Sequence, residues 1–359
     1  MNQKEKELFL ELCAFRDPNA KKIESLIGAD AATPEVLGML FANRMAGVAY
    51  HVLKESDLLH LPDREFRNSL RNAAEQNEKI NQDFIGCIKF LSAELEACGV
   101  PYALLKGAYL CHRYPKGCRT SNDIDVLIAP ENVSRVSTRL KMAGFRQGHM
   151  KNGVFVPATR QEIIASKMMR GETVPFIKET KLPFMKYFEV DLNFSLDYKN
   201  NDDTTLKEML SRTQLVSVGS VKIRTLEPLD FLLHLCAHLY KEATTVPWIR
   251  MKRDMTLYKY CDIYALLFDL GKDTLKALLE RSQEMQMENI FRYCMDSVER
   301  LFGRSFCDTF EEQQASPAFD LDKVIAPGEK KTYRYVEKDV RKRFFSKNRM
   351  ALLEVTDDE

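Results

Sequence analysis

The chain has no long apolar run. Nothing in its 359 residues approaches the roughly 18 consecutive apolar residues of a membrane span, so no membrane partner is expected. The N-terminus, MNQKEKELFLELCAF, is charged and then amphipathic. It lacks the unbroken apolar core and small-residue cleavage site of a secretory signal, and a cytoplasmic location is the expectation. An excess of one charge is also missing. Lys and Arg number 53 against 52 Asp and Glu, a net charge of +1. Such balance gives no global field for nucleic acid or a lipid surface. Cysteine patterning is absent as well: nine cysteines include no C-x-x-C pair and no metal-finger spacing. An odd, scattered set reads as reduced thiols. There is no internal repeat and no low-complexity tract. What remains is an ordinary globular composition, long enough for two or three domains.

Hydrophobic periodicity divides this length. Residues 1–99 read as a helical region. PEVLGMLFANRMAGVAYHVLKE has helical periodicity. In EKINQDFIGCIKFLSAELEACG, Ile80, Phe84, Ile88, Leu91 and Leu95 form one stripe, and Gly99 is the stop. The pattern then changes to a mixed α/β core over 100–225. VPYALL predicts a buried strand, AYLCHRY a short helix, DIDVLIA a second strand and ENVSRVSTRLKMAGF a helix. NGVFVP and KYFEVDLNFSL read as further strands, and LVSVGSVKIRTL as a hairpin turning at Gly219-Ser220. Residues 226–310 return to helix, beginning with the apolar LDFLLHLCAHLYKEA. A polar linker with Pro317 and Pro327 and a basic amphipathic tail fill 311–359. The expected fold is α+β: a small mixed sheet flanked by helical regions.

The core strand DIDVLI carries the chemistry. Side chains alternate along a strand, so Asp123 and Asp125 share one face while Ile124, Val126 and Ile128 face a core. Parallel carboxylates repel unless a cation lies between them, and hard cations such as Mg²⁺ suit an oxygen site. In YFEVDLNF, Glu189, Asp191 and Asn193 likewise share a face. Set beside DIDVLI, this strand would add Asp191 to the pair. Three acids around two Mg²⁺ ions, with Mn²⁺ as a substitute, make a phosphoryl-transfer site. Gly107 follows a strand and precedes a short helix, so its backbone N–H groups can approach phosphate. Lys106 and Arg119 can neutralise a triphosphate. Alone, a D-x-D pair, a Lys-Gly turn or a single arginine each has an ordinary structural explanation. The ordered set is far more specific.

That set, Leu105-Lys106-Gly107, Arg119, Asp123-Ile124-Asp125 and the later Asp191, resembles the DNA polymerase β-like nucleotidyltransferase superfamily. More narrowly it resembles the uncharacterised bacterial branch of nucleotidyltransferase-like proteins. The resemblance implies that Asp123 and Asp125 bind both metal ions and that Asp191 completes the site near the acceptor. It implies a Mg²⁺-dependent transfer of a nucleoside monophosphate from a triphosphate, ATP being the expected donor, to an acceptor hydroxyl. The superfamily's Gly-Ser turn is Lys106-Gly107 here, and Asn193 stands where the branch carries a histidine. His238, Trp248 and Asp262 match the branch's C-terminal landmarks. Asn122, Glu189, Asn193 and His238 are the pocket candidates.

Other features of the chain have plainer readings. His234 and His238 have i, i+4 spacing but no intervening glutamate of the H-E-x-x-H kind, so core histidines are the expectation. Cys111 and Cys118 flank the loop before the aspartates and read as small buried thiols. From Glu329 to Arg349, nine basic residues oppose three acids. This stretch reads as a solvated amphipathic helix with Val336, Val340 and Phe344 on one stripe. Two alternatives to a small-molecule nucleotidyltransferase follow. One is a non-catalytic nucleotide- or partner-binding protein on the same fold. The other is a nucleic-acid-modifying enzyme that uses the basic tail, which the neutral net charge disfavours.

Overall fold

The computed structural model describes residues 1–197, 203–306, 320, 322–329 and 331–356, with no side-chain account for 168–170. The polar segment expected to loosen the chain at 308–330 lies for the most part outside these described residues. Helices α1 (Gln3–Cys13), α2 (Ala20–Gly28), α3 (Pro34–Ala42), α4 (Ala46–Glu55) and α5 (Arg64–Cys98) come first. There follow β1 (Tyr102–Leu104), α6 (Gly107–Arg113), β2 (Asp123–Ile128) and α7 (Val133–Met142). Then come β3 (Arg146–Lys151), β4 (Val154–Pro157), α8 (Arg160–Arg170), β5 (Phe176–Glu179) and β6 (Tyr187–Asn193). The mixed region closes with α9 (Asp203–Ser211) and the hairpin β7 (Gln214–Val218) and β8 (Val221–Thr225). Helices α10 (Pro228–Ala243), α11 (Val246–Arg250), α12 (Leu257–Phe268), α13 (Lys272–Glu284) and α14 (Glu288–Phe302) follow. The end holds β9 (Lys323–Ile325), β10 (Thr332–Tyr335), α15 (Val340–Phe345) and β11 (Leu353–Thr356). Among the described residues no single helix is long and apolar enough to cross a membrane.

Two compact units divide the chain: Met1–Arg71 with Leu232–Glu359, and Asn72–Phe231. The second holds a six-stranded mixed sheet in the order β1-β2-β6-β5-β3-β4. β1 runs antiparallel to β2, with Leu104 opposite Val126. β2 and β6 are parallel, and β5 is antiparallel to β6. One core covers the apolar side of this sheet. Phe84, Ile88, Leu91 and Leu95 of α5 meet Ile124, Val126 and Ile128 of β2 and Val190 and Leu192 of β6. Val133, Val136 and Leu140 of α7 join them. The three- and four-residue stripe of α5 is therefore the sheet's cover, and burial of those side chains stabilises both. Thr225 Oγ1 donates to Leu104 O at 2.6 Å, tying β8 to β1.

The first unit bears out one expectation and corrects another. PEVLGMLFANRMAGVAYHVLKE is two helices, α3 and α4, because the chain turns at Arg44 in a left-handed conformation with φ 58°. The basic stretch from Glu329 to Arg349 is not one solvated helix. Thr332-Tyr333-Arg334-Tyr335 is β-branched and aromatic and forms the central strand of the sheet β11-β10-β9. A helix begins only at Val340, where the Asp339 carboxylate accepts from the N–H groups of Arg341 and Lys342. Val336 is exposed, so the expected stripe is broken, while Val340 and Phe344 are buried. The charges are largely used within the unit. Arg334 pairs with Asp320, Lys338 and Arg343 with Asp322, and Arg349 with Asp254. Arg341 donates to Arg300 O. Phe344 stacks on Phe9 of α1 with ring centroids 5.8 Å apart. This segment is part of the folded unit, not a free basic arm.

Candidate active site

Strand β2 brings the first carboxylates, and its parallel partner β6 brings the rest. The register places Asp123 beside Glu189 and Asp125 beside Asp191. Directly paired residues of neighbouring strands point to the same face. Asp123, Asp125, Glu189, Asp191 and Asn193 therefore line one side of the sheet, opposite the aliphatic core. Asp125 is 6% exposed, and Asn193 Nδ2 donates to its Oδ1 at 3.3 Å.

Electrostatics follow from this crowding. Burial first, then the charges of Asp125, Glu189, Asp123 and Glu172, push the Asp191 carboxyl well above its ordinary range. Burial, and then Asp123 and Asp125, also raise Glu189. Lys106 responds in the opposite sense. Burial works against its ammonium, but Asp125, Asp197 and Asp123 outweigh that and hold the proton more firmly than usual. Its Nζ donates to Asp125 Oδ1 at 2.9 Å.

The turn between β1 and α6 is shaped by close approach. A Cβ added to Gly107 would lie within 3.0 Å of both Oγ and Cβ of Ser121. Only glycine leaves Ser121 its place, and Ser121 Oγ donates to Asp123 Oδ1 at 2.8 Å. Lys106 has φ 45° and ψ −119°, a backbone conformation that side chains other than glycine's rarely adopt. Leu105 N donates to Asp125 O at 2.9 Å, fixing the turn to β2. Helix α6 is short, as expected, with seven residues starting at Gly107.

Helix α5 anchors the loop that carries Arg119. Gly117 has φ 76°, and a Cβ there would lie 2.5 Å from Ala74 O. Asn77 Nδ2 donates to Gly117 O at 2.9 Å and Asn81 Nδ2 to Arg119 O at 2.8 Å. Ala74, Asn77 and Asn81 lie at helical spacing, so one stripe of α5 grips the loop. Arg119 is buried, and its guanidinium donates to Thr120 O.

The expected residues divide clearly. Lys106, Gly107, Asp123, Asp125, Glu189, Asp191 and Asn193 come together. Arg119 lies in the anchored loop leading to them. Asn122 is exposed beside Asp123. His238 belongs to the other unit, where its Nε2 is 3.4 Å from Glu242. Cys118 is buried, and desolvation pushes its thiol up to about 12, which leaves no reactive thiolate at neutral pH. Ser121, Glu172 and Asp197 were missed. Asp197 had a signal: the alternation Asp191, Asn193, Ser195, Asp197 continues the polar face beyond β6. Ser121 and Glu172 had none.

The donor set fits a divalent cation in its chemistry. Several carboxylates face one another, and burial together with their mutual repulsion raises Asp191. The arrangement is not a closed cage. Among the described residues no three acid, thiol or imidazole groups stand where they could hold a metal ion, and the ammonium beside Asp125 belongs to Lys106.

A family model described as "Uncharacterised nucleotidyltransferase" matches residues 30–303. No curated protein matches the chain. Among solved structures, an antigenic nucleotidyltransferase-like protein from Paracoccidioides brasiliensis is similar at 14% identity and a TM-score of 0.32, over 58% of this chain and 91% of that one. The antibiotic-resistance factor ANT(2'')-Ia is similar at 11% identity and a TM-score of 0.32, over 59% of this chain and 98% of that one. Structural likeness at this level carries no functional argument.

Proposed function

Because the chain belongs to the uncharacterised nucleotidyltransferase family, we propose that it moves a nucleoside monophosphate from a nucleoside triphosphate, ATP for preference, to an acceptor hydroxyl. The observation that carries this reading is the parallel register of β2 and β6, which sets Asp125 beside Asp191 on the polar face. Asp123, Asp125 and Asp191 are not drawn together around one point here; they would hold Mg²⁺, with Mn²⁺ as a substitute, once their side chains turn inward and Lys106 leaves Asp125. When bound, a pair of such ions supplies Lewis-acid polarisation at the triphosphate and lowers the pKa of the acceptor hydroxyl.

The remaining work falls to the chain. The acceptor oxygen forms a bond to the α-phosphorus, and the bond from that phosphorus to the β-phosphate oxygen breaks. Pyrophosphate leaves with the bonding pair. Asp191, on the polar face beside Asp125, takes the acceptor's proton. Lys106 and Arg119 balance the charge of the triphosphate. Ser121 holds Asp123 through its Oδ1, and the neutral overall charge favours a small-molecule acceptor over nucleic acid. Calorimetry with Mg²⁺-ATP tests the assignment: Asp123→Asn and Asp125→Asn each abolish binding. Unchanged affinity in both variants refutes it.

A second reading has one observation in its favour. Lys106 already neutralises Asp125, as suits a protein that binds a nucleotide or partner without transferring anything. Pyrophosphate release over pools of hydroxyl acceptors separates the two readings.

A further inference from the structure

Among the described residues the polar face carries the acids Asp123, Asp125, Glu189 and Asp191, and the charge of Asp197 also acts on Lys106. The cation that meets them is supplied by the chain. Lys106 Nζ lies 2.9 Å from Asp125 Oδ1. Asp125 is nearly inaccessible, whereas the Lys106 side chain keeps 21% of its exposure.

The backbone beneath it is unusual. Lys106 adopts a glycine-like φ of 45° and ψ of −119°. The turn is pinned on both sides: Leu105 N donates to Asp125 O, and Lys106 O accepts from the N–H groups of Tyr109 and Leu110. Strain of this kind persists where the surroundings over-determine it, and it points to a use for the side chain held there. With the backbone fixed, the four-carbon stem of lysine is the part free to move.

We propose that Lys106 is an exchangeable counter-cation. It occupies Asp125 while the site is free of nucleotide, and it transfers to the triphosphate when a divalent cation takes its place. The inference rests on the nucleotidyltransferase reading above and adds an order to it. An ammonium and a divalent cation repel each other at one buried carboxylate oxygen. Free metal ion therefore binds against Lys106, while metal ion arriving with a triphosphate gives the ammonium a new anionic partner.

Two variants of the full chain test this. Lys106→Met keeps the side-chain length without the charge. Lys106→Gly removes the charge and relieves the backbone, and circular dichroism checks that both fold. Mn²⁺ alone is titrated by electron paramagnetic resonance, and a non-hydrolysable ATP analogue with Mg²⁺ is titrated by calorimetry. The expected result is a split. Both variants bind free Mn²⁺ about tenfold more tightly than the wild type and the Mg²⁺-nucleotide about tenfold more weakly. A merely structural lysine moves both affinities in the same direction. Mn²⁺ binding that is present in the wild type but unchanged or weakened in both variants overturns the exchange and leaves the metal site standing. No Mn²⁺ binding in any variant overturns the metal site, and the exchange with it.

Discussion

Replacing Gly107 by alanine separates a structural argument from a propensity argument. Gly107 is the first residue of α6, and alanine is the better helix former by up to about 1 kcal/mol. Propensity alone therefore predicts a neutral or stabilising change. The structure predicts the opposite, because the new methyl would lie within 3.0 Å of both Oγ and Cβ of Ser121. Neither atom is the far end of a flexible chain, so Ser121 or the turn must shift. Overpacking of this kind costs about 1–3 kcal/mol. A shift of Ser121 also weakens its 2.8 Å hydrogen bond to Asp123, worth about 1 kcal/mol at a half-buried acceptor. After the propensity gain is subtracted, a net loss of about 1–3 kcal/mol remains. The only tryptophan, Trp248, lies in the other unit, so its fluorescence does not report this loss. Amide hydrogen exchange of a peptide spanning β2 does. Gly107→Ala should accelerate exchange there, and adding Ser121→Gly should restore most of the protection by removing the colliding atoms. Unchanged or slower exchange in Gly107→Ala would refute the close-packing argument, as would a double variant no better than the single one.

Two further perturbations follow from the charges. Asp191→Asn should stabilise the ligand-free protein by about 1 kcal/mol near neutral pH while abolishing transfer, the trade expected of a strained site. The sign follows from the raised carboxyl: the folded state holds this proton more firmly than the unfolded state does, so its ionisation lowers stability as pH rises. The difference in melting temperature should be negligible well below about pH 4 and grow above it; a constant difference would contradict the reasoning. In the other unit, Arg349 makes two hydrogen bonds to the fully buried Asp254, at 2.6 and 2.7 Å. Arg349→Met should cost about 3–5 kcal/mol by stranding that carboxylate, and adding Asp254→Asn should recover much of it. Urea unfolding followed by Trp248 fluorescence measures both, and additive losses would show that the two residues are not coupled.

The polar face of DIDVLI was legible because strand alternation is a local property. The same holds for Asp191, whose neighbours Val190 and Leu192 mark the opposite face. The apolar stripe of α5 could be read for a similar reason. Its Asn77 and Asn81 could not, because their partners, Gly117 O and Arg119 O, lie some 40 residues away. Ser121 gave no sign, since its importance comes from standing against Gly107 across a turn. The basic tail was misread because net charge and an apolar spacing suggested an exposed helix. The pairing acids Asp254 and Asp322 and the alternation around Tyr333 and Tyr335 pointed elsewhere, but their relevance depends on tertiary placement. The positive φ at Lys106 is likewise invisible in a residue type that normally avoids it.

The pairing of β2 with β6 has a consequence for how the chain tolerates change in length. The two strands are adjacent although the segment from Ala129 to Lys186 separates them, and loops within that interval can lengthen at a modest entropic cost. Inside Tyr187–Asp191 the same insertion has a different meaning. One added residue reverses which side of the sheet each following side chain occupies. Asp191 would then turn toward Phe84, Ile88 and Val126, and Val190 would replace it among the carboxylates. Folding of the sheet thus acts as a parity check on this strand: an odd insertion or deletion sends charge into the hydrocarbon interior and is rejected by instability before its effect on chemistry can matter.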